Sequence, residues 1–279
     1  MSDANVVDDL RQPIILDFDT TRYPFREAIL DILEDDCADD GIDGLPSRDL
    51  SLLHQHSDHL CSTHTIDKSG NHMAYFQTKW NLKRDKSGEA YKRDTQEAPS
   101  EAYAHFDDIY KAFVEEVIGP SILGPAVIES ESSDVNYRVL YQRAPTFRTY
   151  LANAPAPMGK MHTDEEYHHQ PSELNCWMPI SDNVCGNNSL YAESAPGRGD
   201  FEPLNLKYGQ IFRGYLNQCR HFTKENDTGF TRVSVDFRVV SEATGGHDPT
   251  FHKGVRRGAK AMWQRKYDIG AFYSTVMCR

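Results

Sequence analysis

Apolar side chains are spaced differently in the two halves of the chain. Residues 25–33 suit a short helix that follows threonines able to cap it and a proline in its first turn. A longer amphipathic pattern precedes Gly119 and Pro120, which we expect to end it. Its apolar residues recur at steps of three and four, as in a helix that packs one face on a sheet: Phe106, Ile109, Tyr110, Phe113 and Val117.

From residue 134 onward, short segments of β-branched and aromatic residues alternate with turns that contain Pro, Gly and Asn. Several short strands joined by turns are typical of a closed or double-sheet β architecture. The charged, weakly apolar stretch at 83–98 is instead predicted to be an exposed loop. The predicted strands are 137–142, 146–152, 174–179, 189–193, 210–215 and 232–240.

Length and composition favour a single domain spanning residues 1–279. A chain of 279 residues with 39% hydrophobic side chains can fill one sizeable core. No apolar run approaches the roughly 18 residues that a membrane span requires, so no membrane insertion is expected. We divide the chain into an N-terminal helical and lid region at 1–133, a β core at 134–241 and a C-terminal extension at 242–279.

Charge and cysteine usage argue against several classes of function. The net charge of −12 disfavours nonspecific binding to nucleic acid or anionic lipid, which carry the same sign. The six cysteines form no Cys-x-x-Cys pair, so neither a zinc ribbon nor a redox motif is indicated. The acidic start lacks the features of a secretory signal, which predicts a cytoplasmic protein unless an organelle-targeting segment is present. A small-molecule substrate is expected, and no obligate protein partner is indicated.

Three potential metal ligands occur in a distinctive order. His162 and Asp164 stand two positions apart, so an extended backbone points both side chains to one side. His221 follows 57 positions after Asp164. Two imidazoles and one carboxylate can occupy one face of an Fe(II) ion and leave its other positions for a bidentate co-substrate and O2. The sequence therefore predicts a catalytic iron centre at these three residues, with unrelated structural roles as the alternative.

An arginine and a serine follow the distal histidine at a short distance. Arg232 comes 11 positions after His221, and Ser234 lies two residues further on, so both share one face of a strand. The guanidinium fork can bind the far carboxylate of a keto-diacid through two hydrogen bonds, with the Ser234 hydroxyl beside it. A surface ion pair is the alternative role for Arg232.

The ordered set of His-x-Asp, distal His and Arg-x-Ser resembles the Fe(II)/2-oxoglutarate-dependent oxygenases, over residues 136–240. Segments 187–197 and 207–211 are similar to the phytanoyl-CoA hydroxylase-like branch. The resemblance implies a mainly β fold with added helices, in which a double-stranded β-helix (jelly-roll) core is flanked by N-terminal helices. It also implies Fe(II) as the metal, 2-oxoglutarate as the co-substrate and O2 as the oxidant.

A narrower resemblance is carried by Glu173-x-Asn175-x-Trp177 and by segment 193–197. These residues are similar to oxygenases of secondary metabolism, including kainoid synthases and a streptomycin-cluster-type branch. The resemblance implies C–H abstraction from the substrate, followed by radical cyclisation or by hydroxylation, and the ligand motif leaves both open. Asp164 stands where halogenating relatives carry Gly or Ala, which disfavours halogenation.

Residues for substrate and co-substrate are expected on the inner faces of the strands. The two-residue period places Arg148 with Tyr150 on one strand and Asn175 with Trp177 on the next. Asn175 is expected to donate to a carboxylate of 2-oxoglutarate. Arg148 and Arg238 are expected to hold a substrate carboxylate, and Tyr150 and Trp177 to contact the substrate. The predicted substrate is therefore small, carboxylated and derived from an amino acid. Core packing of Trp177 and pairing of Arg238 with a neighbouring acid are the alternatives.

Two other classes of function compete with the oxygenase. Residues 54–59 spell the His-x-His-x-Asp-His pattern of metallo-β-lactamase-like hydrolases. That motif needs an apolar strand before it and a glycine turn after it, whereas 48–53 is a poor buried strand and 60–62 contains no glycine. Exposed histidines in a helix or loop are therefore the favoured interpretation of this segment. The second competitor is a noncatalytic barrel that binds a small acid.

Overall fold

The computed structural model of the chain describes residues 3–39, 45, 47–56, 101–123, 137–153, 159–251, 269–270 and 272–278. Helices are concentrated before residue 124 in this part of the chain. None of the described helices combines the length and apolar character needed to cross a bilayer. Those before residue 124 are α1 (Asp3–Arg11), α2 (Phe25–Asp39), a 3₁₀ helix (Leu50–His56), α3 (Glu101–Phe113), a π-helical turn (Val114–Ile118) and the short α4 (Gly119–Ser121). Short 3₁₀ helices follow at Asp164–Tyr167, Gly186–Asn188 and Glu242–Thr244.

The strands of the described residues form two antiparallel sheets. The larger sheet has the order β1-β7-β4-β9-β2-β10, and β3 also pairs with β9; the smaller has the order β6-β5-β8. A mainly β fold with added helices is therefore confirmed, while the double-stranded β-helix arrangement stays a prediction. The strands are β1 (Ile14–Asp17), β2 (Tyr137–Gln142), β3 (Thr146–Tyr150), β4 (Leu174–Pro179), β5 (Tyr191–Ala192), β6 (Glu202–Pro203), β7 (Gln210–Gly214), β8 (His221–Phe222), β9 (Arg232–Ser241) and β10 (Tyr273–Cys278).

The long strand β9 organises the larger sheet, because it pairs with β2, β3 and β4 and all ten of its residues are buried. Successive side chains of β9 point to opposite faces of the sheet, so its two faces lie in different environments. On one face, Phe237 packs edge-on against Tyr110 of α3, with ring centroids 5.0 Å apart, and its valine neighbours join the same core. The other face carries a polar series at every second position: Arg232, Ser234, Asp236 and Arg238.

The helices and strands that the sequence predicted differ from the observed ones mainly at their ends, and the sequence did not predict β1, β6, β8 and β10. Strands β2 and β4 match the predicted bounds, and the helix predicted at 25–33 continues to Asp39. The predicted stop at Gly119 and Pro120 is wrong, because Gly119 keeps right-handed helical angles and the helical run continues to Ser121. The predicted loop at 83–98 lies outside the described residues.

We predict that position 119 must be glycine, because a larger side chain there would clash with β10. A Cβ added at this position would lie 2.1 Å from the Sγ atom of the buried Cys278. Overpacking of this kind costs about 1–3 kcal/mol, so Gly119→Ala should lower the free energy of unfolding by that amount in urea denaturation. Cys278→Ala is the control, and the double variant should recover part of the loss. A Gly119→Ala protein as stable as wild type would contradict this account.

Candidate metal centre

Backbone pairing brings the two predicted histidine ligands together. His162 and His221 form an antiparallel bridge, in which each residue's N–H donates to the other's carbonyl at 3.1 and 2.9 Å. Their imidazole centroids are consequently 4.3 Å apart. Asp164 begins the short helix Asp164–Tyr167, and its N–H donates to the carbonyl of Leu216 at 3.2 Å. Main-chain hydrogen bonds alone therefore hold these residues, which are distant in sequence, close together.

The three side chains point their donor atoms at one another. The Oδ1 atom of Asp164 lies 3.5 Å from Nε2 of His221 and 3.9 Å from Nε2 of His162. All three candidate ligand atoms lie within 4.8 Å of one another, and no other such cluster occurs among the described residues. A metal ion binds such ligand atoms at about 2.0–2.2 Å. A small contraction of the distances between these three atoms would let one ion contact all of them. The predicted set of His162, Asp164 and His221 is therefore assembled.

Both imidazoles are oriented for ligation by a carbonyl two residues earlier. Nδ1 of His162 lies 2.6 Å from the Lys160 carbonyl, and Nδ1 of His221 lies 3.1 Å from that of Cys219. These contacts assign the proton to Nδ1 and leave the Nε2 lone pair for a metal. Burial, with a further contribution from His221, lowers the pKa of His162 and favours the neutral form that a ligand requires.

Asp164 is buried and compensated by positive charge. Its Oδ2 atom accepts hydrogen bonds from Nε and Nη2 of Arg238 at 3.0 and 2.8 Å and from Nδ2 of Asn175 at 2.7 Å. Burial alone would raise the pKa of this carboxyl, but the charge of Arg238 and the proximity of His221 outweigh burial and hold the pKa well below its usual value. The carboxylate is thus ionised and ready to bind a cation.

Arg232 is buried beside polar groups that lack partners. Its Nη1 donates to the Asn188 carbonyl at 2.7 Å, but its Nε and the Ser234 hydroxyl have no hydrogen-bond partner in the described structure. Burial, aided by repulsion from Arg148, lowers the pKa of Arg232 to about 9. A buried guanidinium is costly unless an anion joins it. This observation fits the binding of a carboxylate at Arg232 and Ser234.

A pocket of about 560 Å³, including its open mouth, is lined by two of the candidate metal ligands, His162 and His221. Arg148 lines it with a side chain that is 39% exposed, and its Nε donates to Oδ1 of Asp236 at 2.6 Å. Oδ2 of Asp236 accepts from Nη1 of Arg238 at 2.8 Å. Charges of alternating sign therefore run from the pocket wall through Asp236 and Arg238 to Asp164. The apolar lining includes Trp177, Leu190, Leu216 and Phe222.

Of the other predicted site residues, Asn175 and Trp177 line this pocket, whereas Tyr150 and Ser234 are not among its lining residues. Asn175 lines the pocket, but its amide nitrogen is used by Asp164 and its Oδ1 has no hydrogen-bond partner in the described structure. Tyr150 and Trp177 flank the Arg232 guanidinium, with ring centroids 5.3 and 5.8 Å from its central carbon. The Tyr150 hydroxyl donates to the Lys224 carbonyl. These two rings therefore form the walls of the Arg232 site.

Sequence reasoning missed the structural role of Glu193, although this glutamate belongs to a segment that supported the resemblance. Its carboxylate accepts from the N–H groups of Arg220 and Gly199, both at 2.8 Å, and pairs with the Arg220 side chain. Hydrogen bonds from Arg220 lower the pKa of Glu193 to about 2. Glu193 thus fastens the residue that precedes His221. The resemblance pointed to the segment that contains Glu193, but the local sequence did not indicate Arg220 as its partner.

The competing metal motif does not have the structure that its chemistry requires. Leu50–His56 is a 3₁₀ helix, whereas the hydrolase motif begins at the end of a strand. His54 is half-buried, and its Nδ1 lies 3.1 Å from the hydroxyl of Thr231. Residues 57–59 of the motif lie outside the described residues.

Comparison with known proteins gives one informative likeness. No family model matches the chain. Over 138 residues it is 33% identical to the streptomycin biosynthesis protein StrG of Streptomyces griseus, an alignment that covers 50% of this chain and 61% of StrG. The chain thus spans about three fifths of that relative's length. A solved non-heme monooxygenase, the ThoJ–Ni complex, aligns over 42% of this chain and 51% of its own with 16% identity and a TM-score of 0.32, which is too low to support an argument.

Proposed function

We propose that the protein is an Fe(II)/2-oxoglutarate-dependent oxygenase of secondary metabolism. The observation that carries the proposal is the cluster of His162, Asp164 and His221, whose two histidines line the same pocket as Arg232, a buried arginine that has no acidic partner among the described residues. An open metal site beside an anion site is what a chelating keto-diacid requires. The likeness to a streptomycin biosynthesis protein supports a role in secondary metabolism.

The proposed ligands have defined tasks. Nε2 of His162, Nε2 of His221 and Oδ1 of Asp164 would hold the metal. Arg232 and Ser234 would bind the far carboxylate of 2-oxoglutarate through the two polar atoms that lack partners. When bound, iron and 2-oxoglutarate supply an oxidant that removes a substrate hydrogen atom, with consumption of O2 and release of succinate and CO2.

The charges of the pocket match this set of ligands and favour an anionic substrate. Three arginines, Arg148, Arg232 and Arg238, face two aspartates, Asp164 and Asp236, which leaves one positive charge when the histidines are neutral. A divalent cation raises the charge to three and a dianionic keto acid returns it to one. A substrate with one carboxylate would neutralise what remains.

Arg148 is the arginine that we propose for the substrate. Its side chain reaches the pocket and is partly exposed, whereas Arg238 uses its Nε and both terminal nitrogens on Asp164, Asp236 and Gln142. The apolar lining suits the carbon skeleton of a small, carboxylated, amino-acid-derived metabolite. Removal of a hydrogen atom begins both hydroxylation and radical cyclisation. The pose of the substrate in the pocket decides between them.

The metal centre is tested by anaerobic addition of Fe(II) and 2-oxoglutarate. We expect a weak visible charge-transfer band, and succinate formation when O2 is admitted. His221→Ala should lose both with little change in thermal stability, because His221 lines a pocket. His105→Ala, which removes an exposed histidine from α3, should retain both. An intact band and full turnover in His221→Ala would contradict the assignment of His221 as a metal ligand. A band without any turnover would favour the noncatalytic small-acid-binding barrel.

We predict that Arg232→Lys weakens 2-oxoglutarate binding by about one to two decades, because lysine loses the fork geometry and a charge-assisted hydrogen bond is worth about 1.5–3 kcal/mol. The measurement is the 2-oxoglutarate concentration that half-saturates the charge-transfer band. Arg213→Lys is the control, since Arg213 is also a buried arginine but donates to the carbonyl of Leu10. Unchanged 2-oxoglutarate affinity in Arg232→Lys would contradict the role.

The substrate carboxylate provides a further prediction. Carboxylated amino acids and N-alkyl amino acids should be screened by mass spectrometry with Fe(II), 2-oxoglutarate and O2. For any compound that is turned over, its methyl ester should show a kcat/KM lower by about tenfold or more, because the ester loses the charge-assisted bond to Arg148. Equal turnover of acid and ester would favour an apolar substrate instead.

A further inference from the structure

The two oxygens of Asp164 have different surroundings. Oδ2 receives three donors: Nε of Arg238 at 3.0 Å, its Nη2 at 2.8 Å and Nδ2 of Asn175 at 2.7 Å. Each carboxylate oxygen offers about two lone pairs, so three donors saturate Oδ2. Oδ1 instead faces the Nε2 atoms of both histidines, 3.5 and 3.9 Å away. One oxygen is therefore committed to the protein and the other is directed toward the metal position.

The guanidinium that holds Oδ2 is itself held from the other side. Nη1 of Arg238 donates to Oδ2 of Asp236 at 2.8 Å and to Oε1 of Gln142 at 3.3 Å. Arg238 lies opposite Asn175 in the pairing of β9 with β4, so both donors approach Asp164 from adjacent backbones. The Arg238 side chain is 10% exposed. Arg238 is thus a rigid donor, since its Nε and both terminal nitrogens are engaged.

We propose that Arg238 is a positioning residue that, together with Asn175, restricts Asp164 to ligate the metal through one oxygen. The inference rests on the proposed metal centre. A carboxylate with both oxygens free can chelate an ion and take two coordination positions. Three protein donors leave three positions on a six-coordinate ion, which a bidentate keto acid and O2 fill completely. A chelating Asp164 would occupy one of them, so fixing Oδ2 protects the position that O2 needs.

Lysine at position 238 is the informative substitution. It keeps the positive charge beside Asp164 but replaces the planar fork by one nitrogen, so geometry changes while the charge does not. Removing the charge instead would leave a buried carboxylate uncompensated and would mix positioning with electrostatics. Groups behind a metal ligand typically affect metal affinity by about 10–100-fold when they are replaced. We expect a loss of that size in Arg238→Lys.

The test is an anaerobic titration of the full chain with Co(II), followed by its visible absorption bands, with the melting temperature of the metal-free protein recorded in parallel. Arg238→Lys should bind Co(II) about 10–100-fold more weakly, because Asp164 is no longer held in position for the metal. The band shape should also change, because Asp164 can then rotate and chelate. Arg213→Lys, the control for lysine replacing a buried arginine in the same sheet, should keep the wild-type affinity and bands. A purely structural role for Arg238 would lower the melting temperature alone.

A second variant covers the case in which Arg238→Lys does not fold. Asn175→Ala keeps Arg238 and removes only the third hydrogen bond to Oδ2, so a smaller loss in the same direction is expected. Wild-type Co(II) affinity and band shape in folded Arg238→Lys, or in Asn175→Ala where it alone folds, would overturn the inference and leave the metal centre standing. A wild-type chain that binds no Co(II) would overturn the metal centre and the inference together.

Discussion

Asp164 imposes the central constraint on this structure, because an ionised carboxylate without a partner is among the most costly groups to bury. Its side chain is 3% exposed and depends on the guanidinium of Arg238, which is held in turn by Asp236 and Gln142. Removing either partner would leave a buried charge, at a cost of about 3–5 kcal/mol. The positions of β9 and β4 are therefore coupled to the chemistry of the site through ion pairs as well as through the sheet.

Strand β9 satisfies this constraint because its two faces have different roles. Its apolar positions pack against α3, which anchors the strand, while its polar positions line the pocket. Arg232 meets Tyr150 in the pairing with β3, and Arg238 meets Asn175 in the pairing with β4. A slip of one residue would exchange the two faces and bury the charges among aromatic rings, so the site itself specifies the register.

Part of this arrangement could be predicted from the sequence, because it depends on short-range periodicity. The alternation of Arg232 with Ser234 and the two-residue spacing of His162 and Asp164 predicted shared faces, and the three candidate metal ligands lie close together as expected. Strands β1 and β10 were not predicted. Ile14–Asp17 is only four residues long and pairs with residues almost 200 positions away, so nothing in its local pattern distinguishes it. Long-range pairing is what single-sequence periodicity does not contain.

The partner of Arg238 shows the same limit within the site. Alternation placed this arginine on the pocket face, and its charge suggested a substrate carboxylate as its partner, with a neighbouring acid as the alternative. The observed pairing with Asp236 matches that alternative. The nearest carboxylate belongs to the protein, because β4 delivers Asn175 and the segment before it delivers Asp164 to the same point. Arg232, by contrast, has no such acid beside it among the residues that the structure describes, and within them its Nε has no hydrogen-bond partner. The two arginines lie on one face of one strand, yet Arg238 compensates a charge already present, whereas the described residues supply no such charge to Arg232. Under the proposed function, a divalent cation and a dianionic keto acid would each lower the electrostatic cost of binding the other, so their affinities must be coupled and reciprocal.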